Sequence, residues 1–277
     1  MAQLSSEDLD KAAALIDGAD ALLVCAGAGM GVDSGLPDFR GDEGFWNAYP
    51  PYERLGIRFT ELADPRHFAG DPELAWGFYG HRLELYRDTV PHEGFRLLRR
   101  WGEAKPGGVA VFTSNVDGQF QEAGFELVAE AHGSIHHLQC AIPCGTHIWS
   151  ASELGVAVDP GTMRAASPLP ECVHCGELAR PNILMFGDFD WISRRSDEQL
   201  RAVNDWRRRN RNVAVIELGA GNAVPTVRRY AELAGAANGG LIRVNPREPQ
   251  VRHGHGISLP GGALDTLTAL DSLLTAG

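Results

Sequence analysis

Seventeen residues, CAGAGMGVDSGLPDFRG from Cys25 to Gly41, follow an apolar run and hold five glycines, two aspartates and one arginine. Such a loop can cradle an anion. Glycine lets the backbone approach closely, and the N–H groups of Ala28 and Gly29 can face a pyrophosphate. Arg40 can add a charge-assisted contact, and Phe39 can shield a reactive sugar carbon from water. The plainer alternative is a surface loop whose Arg40 pairs only with Asp38 or Asp42. The spacing Gly27-Ala-Gly29-Met-Gly31 is too compressed for the usual G-x-G-x-x-G fingerprint. No acidic residue ends a second strand about twenty residues later, as that fingerprint requires.

Two further groups of residues could do chemistry. Cys140-Ala-Ile-Pro-Cys144 and Cys172-Val-His-Cys175 supply four thiolates, the ligand set of a closed structural zinc site. Five cysteines in 277 residues make no disulfide framework, and two close pairs point to metal in a reducing compartment. A closed site leaves no open position for catalysis, so the metal would staple a lobe. Four reduced thiols without metal, or His137, His147 or His174 in place of one cysteine, are the alternatives. Cys25 reads as core. In the helical stretch from Glu73 to Asp88, Tyr79 and Arg82 lie three apart and share a face. Guanidinium and phenol side by side suit a carboxylate; a core tyrosine and a solvated arginine are the bland alternative.

The elements that must position these groups are legible from apolar runs. Residues 21–26, 109–113, 127–131, 183–186, 213–218 and 241–244 read as buried strands, most of them separated by helical segments such as 94–101 and 224–234. That alternation predicts an α/β fold, a parallel sheet covered on both faces. The runs end in Gly27-Ala-Gly29, Ser114-Asn115, His132-Gly133, Gly219-Ala-Gly221 and Asn245-Pro246. Open parallel sheets bind ligands beyond the carboxyl ends of their strands, so these five ends predict one shared crevice. Residues 42–91 and 139–180 break the alternation and are expected to form a smaller lobe. The division expected is 1–41, 92–138 and 181–277 for the large domain, with those two insertions as the small one.

The stretch GAGMGVDSGLPDFRG closely resembles the signature of the sirtuins, NAD-dependent protein lysine deacylases. The other landmarks follow in order: TSNVD at 113–117, HG at 132–133, the cysteine pairs, RPNILMFGD at 180–188, GAG at 219–221 and VNP at 244–246. The resemblance spans roughly Ala21 to Asn245. It implies a Rossmann-like domain with helices on both faces plus a small zinc-bearing lobe. It also implies NAD as co-substrate, structural zinc and an acyl-lysine protein or peptide as partner. Ala28 and Gly29 would face the NAD phosphates, and Asp38, Phe39 and Arg40 the nicotinamide ribose. Ser114, Asn115 and Asp117 would line the nicotinamide pocket, Asn115 also serving catalysis. Gly219, Gly221 and Asn245 would contact phosphates and the adenosine ribose.

In the family's reaction the acyl oxygen attacks the ribose carbon as nicotinamide leaves. His132 would then be the base that activates a ribose hydroxyl, giving free lysine and O-acyl-ADP-ribose. Without the resemblance, a histidine before glycine at a strand end is more often a packing or hydrogen-bonding residue. Tyr79 and Arg82 resemble the pair in sirtuins that prefer succinyl- or malonyl-lysine. Three departures stand out: Ser114 for the usual glutamine, Gly31 for serine, and Ala220-Gly221 for a Thr-Ser pair. They leave room for ADP-ribosyl transfer to protein, NAD hydrolysis, or a non-catalytic NAD or ADP-ribose sensor.

Net charge of -11 argues against non-specific binding to nucleic acid or anionic membranes. No stretch is long and apolar enough to span a bilayer. The start, MAQLSSEDLD, lacks a secretory pattern and reads as a helix with Leu9, Ala12, Ala13 and Ile16 on one stripe. A cytoplasmic location is the expectation.

Overall fold

The computed structural model of the chain describes residues 4–38, 41–238, 240–251 and 256–276. Eleven strands fall into three sheets among these residues. The largest holds β1 (Ala21–Ala26), β2 (Val109–Thr113), β3 (Val128–Glu130), β9 (Val213–Leu218), β10 (Leu241–Val244) and β11 (Gly256–Leu259). Its order is β11-β10-β9-β1-β2-β3, and every pairing is parallel.

The apolar runs form strands here because both faces are covered. Leu22, Val24 and Ala26 of β1 point into one core, beneath the helices Ser6–Asp17, Glu93–Glu103 and Ala263–Ala276. Ala21, Leu23 and Cys25 alternate into the opposite core, under Arg194–Arg209 and Thr226–Asn238. The expected stripe of the first helix is present, with Ala12, Ala13 and Ile16 buried. Chain order runs outward from β1 to β3, then restarts on the other side of β1 at β9. The connection leaving β1 returns through Glu93–Glu103 on one face and that leaving β9 through Thr226–Asn238 on the other, which opens a crevice at this switch point.

A third apolar core lies apart from that sheet. It packs the helices between residues 41 and 88 against β4 (Gly133–Cys140), β5 (Ile148–Ser150) and β8 (Ala179–Ile183), ordered β5-β4-β8 and antiparallel. The short hairpin of β6 (Val158–Asp159) and β7 (Arg164–Ala165) lies close to the helix Pro72–Asp88. Rings of Phe45, Tyr49, Tyr52 and Phe78 fill this core with centroids 5.5–6.0 Å apart.

Two strand expectations are corrected. The run 183–186 is not a strand of the main sheet; the strand β8 ends at Ile183 and pairs with β4. Pro181 lacks the N–H that a central strand needs, and β8 accepts it as an edge strand. β11 had no counterpart among the expected runs, because it is a four-residue edge strand that begins with glycine and is only partly buried.

Candidate active site

One cavity of about 870 Å³ opens at the switch point, between the main sheet and the third core. Its floor comes from the two glycine loops. Gly27 donates its N–H to Leu218 O at 2.9 Å, and Gly29 to Gly219 O at 3.1 Å, so the β1 and β9 loops are stitched together. Gly219 has φ of +62°, and a side chain there would sit 2.5 Å from the Gly29 Cα. Only glycine permits this contact. Ala28, Gly219 and Gly221 line the cavity, while the backbone of Gly29 serves the stitch beneath it.

Asn245 lies behind this floor, fully buried. Its amide donates to Ala220 O at 2.9 Å, and its Oδ1 accepts from the N–H groups of Arg247 (3.0 Å) and Glu248 (2.9 Å). It shapes the loops that line the cavity instead of lining it. Arg247 and Glu248, which do line it, were not singled out in the sequence.

The β2 loop supplies the next wall. Ser114, Asn115 and Asp117 all line the cavity. Asn115 donates from Nδ2 to Gly27 O at 3.1 Å, and its own N–H donates to Thr113 Oγ1 at 3.0 Å. Asp117 is buried and accepts from the Gln119 N–H at 3.0 Å. Burial pushes its carboxyl from 3.8 up to about 6; the Gln119 N–H opposes this, and the charge of Glu130 adds to it.

His132 follows β3 and faces the same cavity. The next residue, Gly133, has φ of +78°, and a side chain on it would lie 2.0 Å from Asn182 O. Glycine therefore lets β4 cross β8 closely and turns the imidazole toward the crevice. His132 Nε2 and Thr226 Oγ1 share a hydrogen bond of 3.3 Å, the ring's one polar partner among the described residues. Burial lowers the His132 pKa below 6.5, so the ring is neutral at neutral pH. Thr226 heads the helix Thr226–Asn238, and nothing in its sequence surroundings marks it as the partner of His132.

Tyr79 and Arg82 project from Pro72–Asp88 into the opposite wall, both buried. The expected helical face is present, and Arg82 donates two hydrogen bonds to the Tyr86 hydroxyl. Tyr86 stands four residues after Arg82, a spacing that places it on the same face. That spacing was the available signal for a residue the sequence reasoning missed. Asp38 also lines the cavity, and Phe39 and Arg40 lie outside the described residues.

At the far end of β4 the four cysteines converge. All four Sγ atoms lie within 4.8 Å of one another, with Cys140–Cys175 at 3.6 Å and Cys144–Cys172 at 3.7 Å. Four sulfurs at about 2.3 Å from a tetrahedral zinc stand about 3.8 Å apart, so the cluster fits that metal. Among the described residues no histidine belongs to the cluster; His147 and His174 stack on each other at 3.8 Å.

A stitched glycine floor, an amide–carboxylate wall and an imidazole kept neutral by burial share one cavity. The profile of the Sir2 family fits residues 27–206. The chain belongs to the Sir2 family. It is 30% identical over 257 residues to NAD-dependent protein deacylase 1 of Archaeoglobus fulgidus, spanning 90% of this chain and 91% of that one. An NAD-dependent protein deacylase of Thermus thermophilus is 27% identical over 271 residues, spanning 95% and 94%. The crystal structure of a Sir2 homologue in complex with NAD aligns with a TM-score of 0.71 at 25% identity, over 99% of this chain and 95% of that one. The Sir2 fold, a Rossmann-like sheet with a smaller lobe able to hold zinc, is thus the fold of this chain.

Within this Sir2 site, Asp117 carries a stability cost. The folded protein holds the Asp117 proton more tightly than the unfolded chain does. The ionised carboxylate therefore begins to cost stability as pH rises past 3.8, and the full cost is present above about 6. Asp117→Asn keeps an oxygen for the Gln119 N–H and removes the charge. It is expected to raise unfolding free energy at pH 8 by about 2–3 kcal/mol, with a smaller gain at pH 5. Urea denaturation at the two pH values checks this; an equal gain at both would contradict it.

Proposed function

We propose that the chain is an NAD-dependent protein lysine deacylase, producing nicotinamide, free lysine and O-acyl-ADP-ribose. The observation that carries this reading is that His132 faces the same cavity as the stitched loops after β1 and β9. Family membership supplies the chemistry such a cavity serves. NAD, when bound, contributes a ribose carbon that becomes electrophilic as nicotinamide departs.

The chain's own residues have separable tasks. Ala28, Gly219 and Gly221 offer a close, side-chain-poor floor to the phosphates, with Gly29 and Asn245 holding that floor in shape. Asn115 and Asp117 offer an amide and a carboxyl to the nicotinamide carboxamide. Asp38 and Ser114 line the cavity and are read as completing the nicotinamide end, the role the family resemblance also gives to Phe39 and Arg40. His132, kept neutral by burial, takes the proton from a ribose hydroxyl. Because that base form survives below pH 6.5, the acid limb of kcat/KM is expected to have its midpoint below that value, read from a pH–rate profile. A midpoint above 6.5 would contradict it.

Residues 1–41, 92–138 and 181–277 form the NAD-binding domain in this reading, with 42–91 and 139–180 as the small domain. The separate apolar cores support two lobes, although the core of the smaller one also takes in Leu36, Val116, Ile135, Leu138, Ile183 and Met185 from the segments assigned to the large domain. Four clustered thiols suit zinc and a reducing compartment such as the cytoplasm. No helix among the described residues is long and apolar enough to cross a membrane.

The acyl group is read as succinyl or malonyl. Arg82, buried on a largely apolar cavity wall beside Tyr79, offers a cation where a carboxylate at the end of an acyl chain would need one. Incubation with NAD and acetyl-, malonyl- and succinyl-lysine peptides tests both parts. Faster release from the acidic acyl peptides, lost in Arg82→Met, is the expected result. Far faster deacetylation would remove the acidic preference. Nicotinamide release that ignores acyl-lysine would favour NAD hydrolysis.

A further inference from the structure

We infer that Tyr86 is a specificity-determining residue that both positions Arg82 and hydrogen-bonds the end of the acyl chain. The inference deepens the acidic-acyl reading and rests on it. Arg82 donates to the Tyr86 hydroxyl from Nε at 3.0 Å and from Nη2 at 2.6 Å. The guanidinium also lies over the rings of Phe78 (5.0 Å), Tyr86 (5.2 Å) and Tyr79 (5.8 Å). Tyr79 therefore meets the cation with its ring face, while Tyr86 adds a polar atom to its ring contact.

A phenol oxygen that accepts two N–H groups has filled its acceptor sites, and its own O–H is left to donate. Among the described residues no acceptor takes that hydrogen, and Tyr86 lines the same cavity as Arg82 and Tyr79. Burial also raises the Tyr86 pKa, with Arg82 opposing, so the phenol keeps its proton at neutral pH. The one donor that Tyr86 has to give thus belongs to a ligand in the cavity. A carboxylate at the acyl terminus can accept it while drawing on a guanidinium that Tyr86 already holds in place. Holding the cation before substrate arrives lowers the ordering cost of binding. A methyl-ended acyl group gains nothing from either contact.

The test is steady-state kinetics of wild type, Tyr86→Phe and Arg82→Met on succinyl-lysine and acetyl-lysine peptides of one sequence. Tyr86→Phe is expected to raise KM for the succinyl peptide roughly 10–100-fold, with kcat nearly unchanged. Its kinetics on the acetyl peptide should stay within about threefold of wild type, which also reports that the variant folds. An unchanged succinyl-to-acetyl ratio in Tyr86→Phe, or equal losses on both peptides, overturns the role of Tyr86. If in addition Arg82→Met abolishes desuccinylation, the acidic-acyl reading stands without it. Wild type preferring acetyl, or Arg82→Met sparing desuccinylation, overturns that reading and the inference together. Should Tyr86→Phe not fold, a crystal structure of the wild type with the succinyl peptide decides. A carboxylate oxygen about 3 Å from Tyr86 Oη supports the inference, and one beyond hydrogen-bond reach overturns it.

Discussion

His132→Ala is expected to lower kcat/KM for removal of the acyl group by roughly 10²–10⁴-fold, the range for losing a positioned general base. The ring is held by Thr226, flanked by a glycine that lets β4 cross β8, and kept neutral by burial. In the proposed reaction a neutral, held imidazole suits proton removal, and the floor proposed for the NAD phosphates is built from other residues. Affinity for NAD should therefore change little, and exchange of labelled nicotinamide into NAD should survive better than product formation. In the proposed reaction the base acts after nicotinamide has left, so early and late steps should part company in this variant. Product formation at the wild-type rate would remove His132 from the chemistry.

Loss of the metal is expected to have the second large effect. Purified protein should carry about one equivalent of zinc, and a strong chelator or Cys172→Ser should lower the melting temperature by more than about 10 °C. Structural zinc sites in small folds are worth roughly 10–16 kcal/mol, comparable to the whole stability of a domain. Here the cluster closes a Cys140–Cys175 and Cys144–Cys172 arrangement at one end of β4, whose other end adjoins His132. Fraying at Cys140 should therefore reach the base, and activity should fall with melting temperature. Atomic absorption and a thermal melt check this. A metal-free protein with unchanged melting and activity would contradict it.

Strand ends carried most of what the sequence could tell. Apolar runs with polar or glycine ends mark strands whose carboxyl ends meet a ligand, so Ala28, Asn115, His132 and Gly219 were findable as members of one crevice. What escaped depends on side-chain direction. Asn245 was expected to touch cofactor, yet its amide is spent on Ala220, Arg247 and Glu248, because a buried amide satisfies its bonds locally. Pairing Arg82 with Tyr79 by spacing overlooked Tyr86, which helical spacing allows equally well. Thr226 is 94 residues from His132 and could be joined to it only by the fold. Pro181 carried the signal that β8 is an edge strand, and the apolar run beyond it masked that signal.

The most direct measurement is the mass of both products after one incubation with NAD and an acyl-lysine peptide. An unmodified peptide, nicotinamide and ADP-ribose bearing the acyl group, in equal amounts and absent with His132→Ala, is the predicted result. Plain ADP-ribose beside an untouched acyl peptide, or ADP-ribose attached to protein, would contradict it.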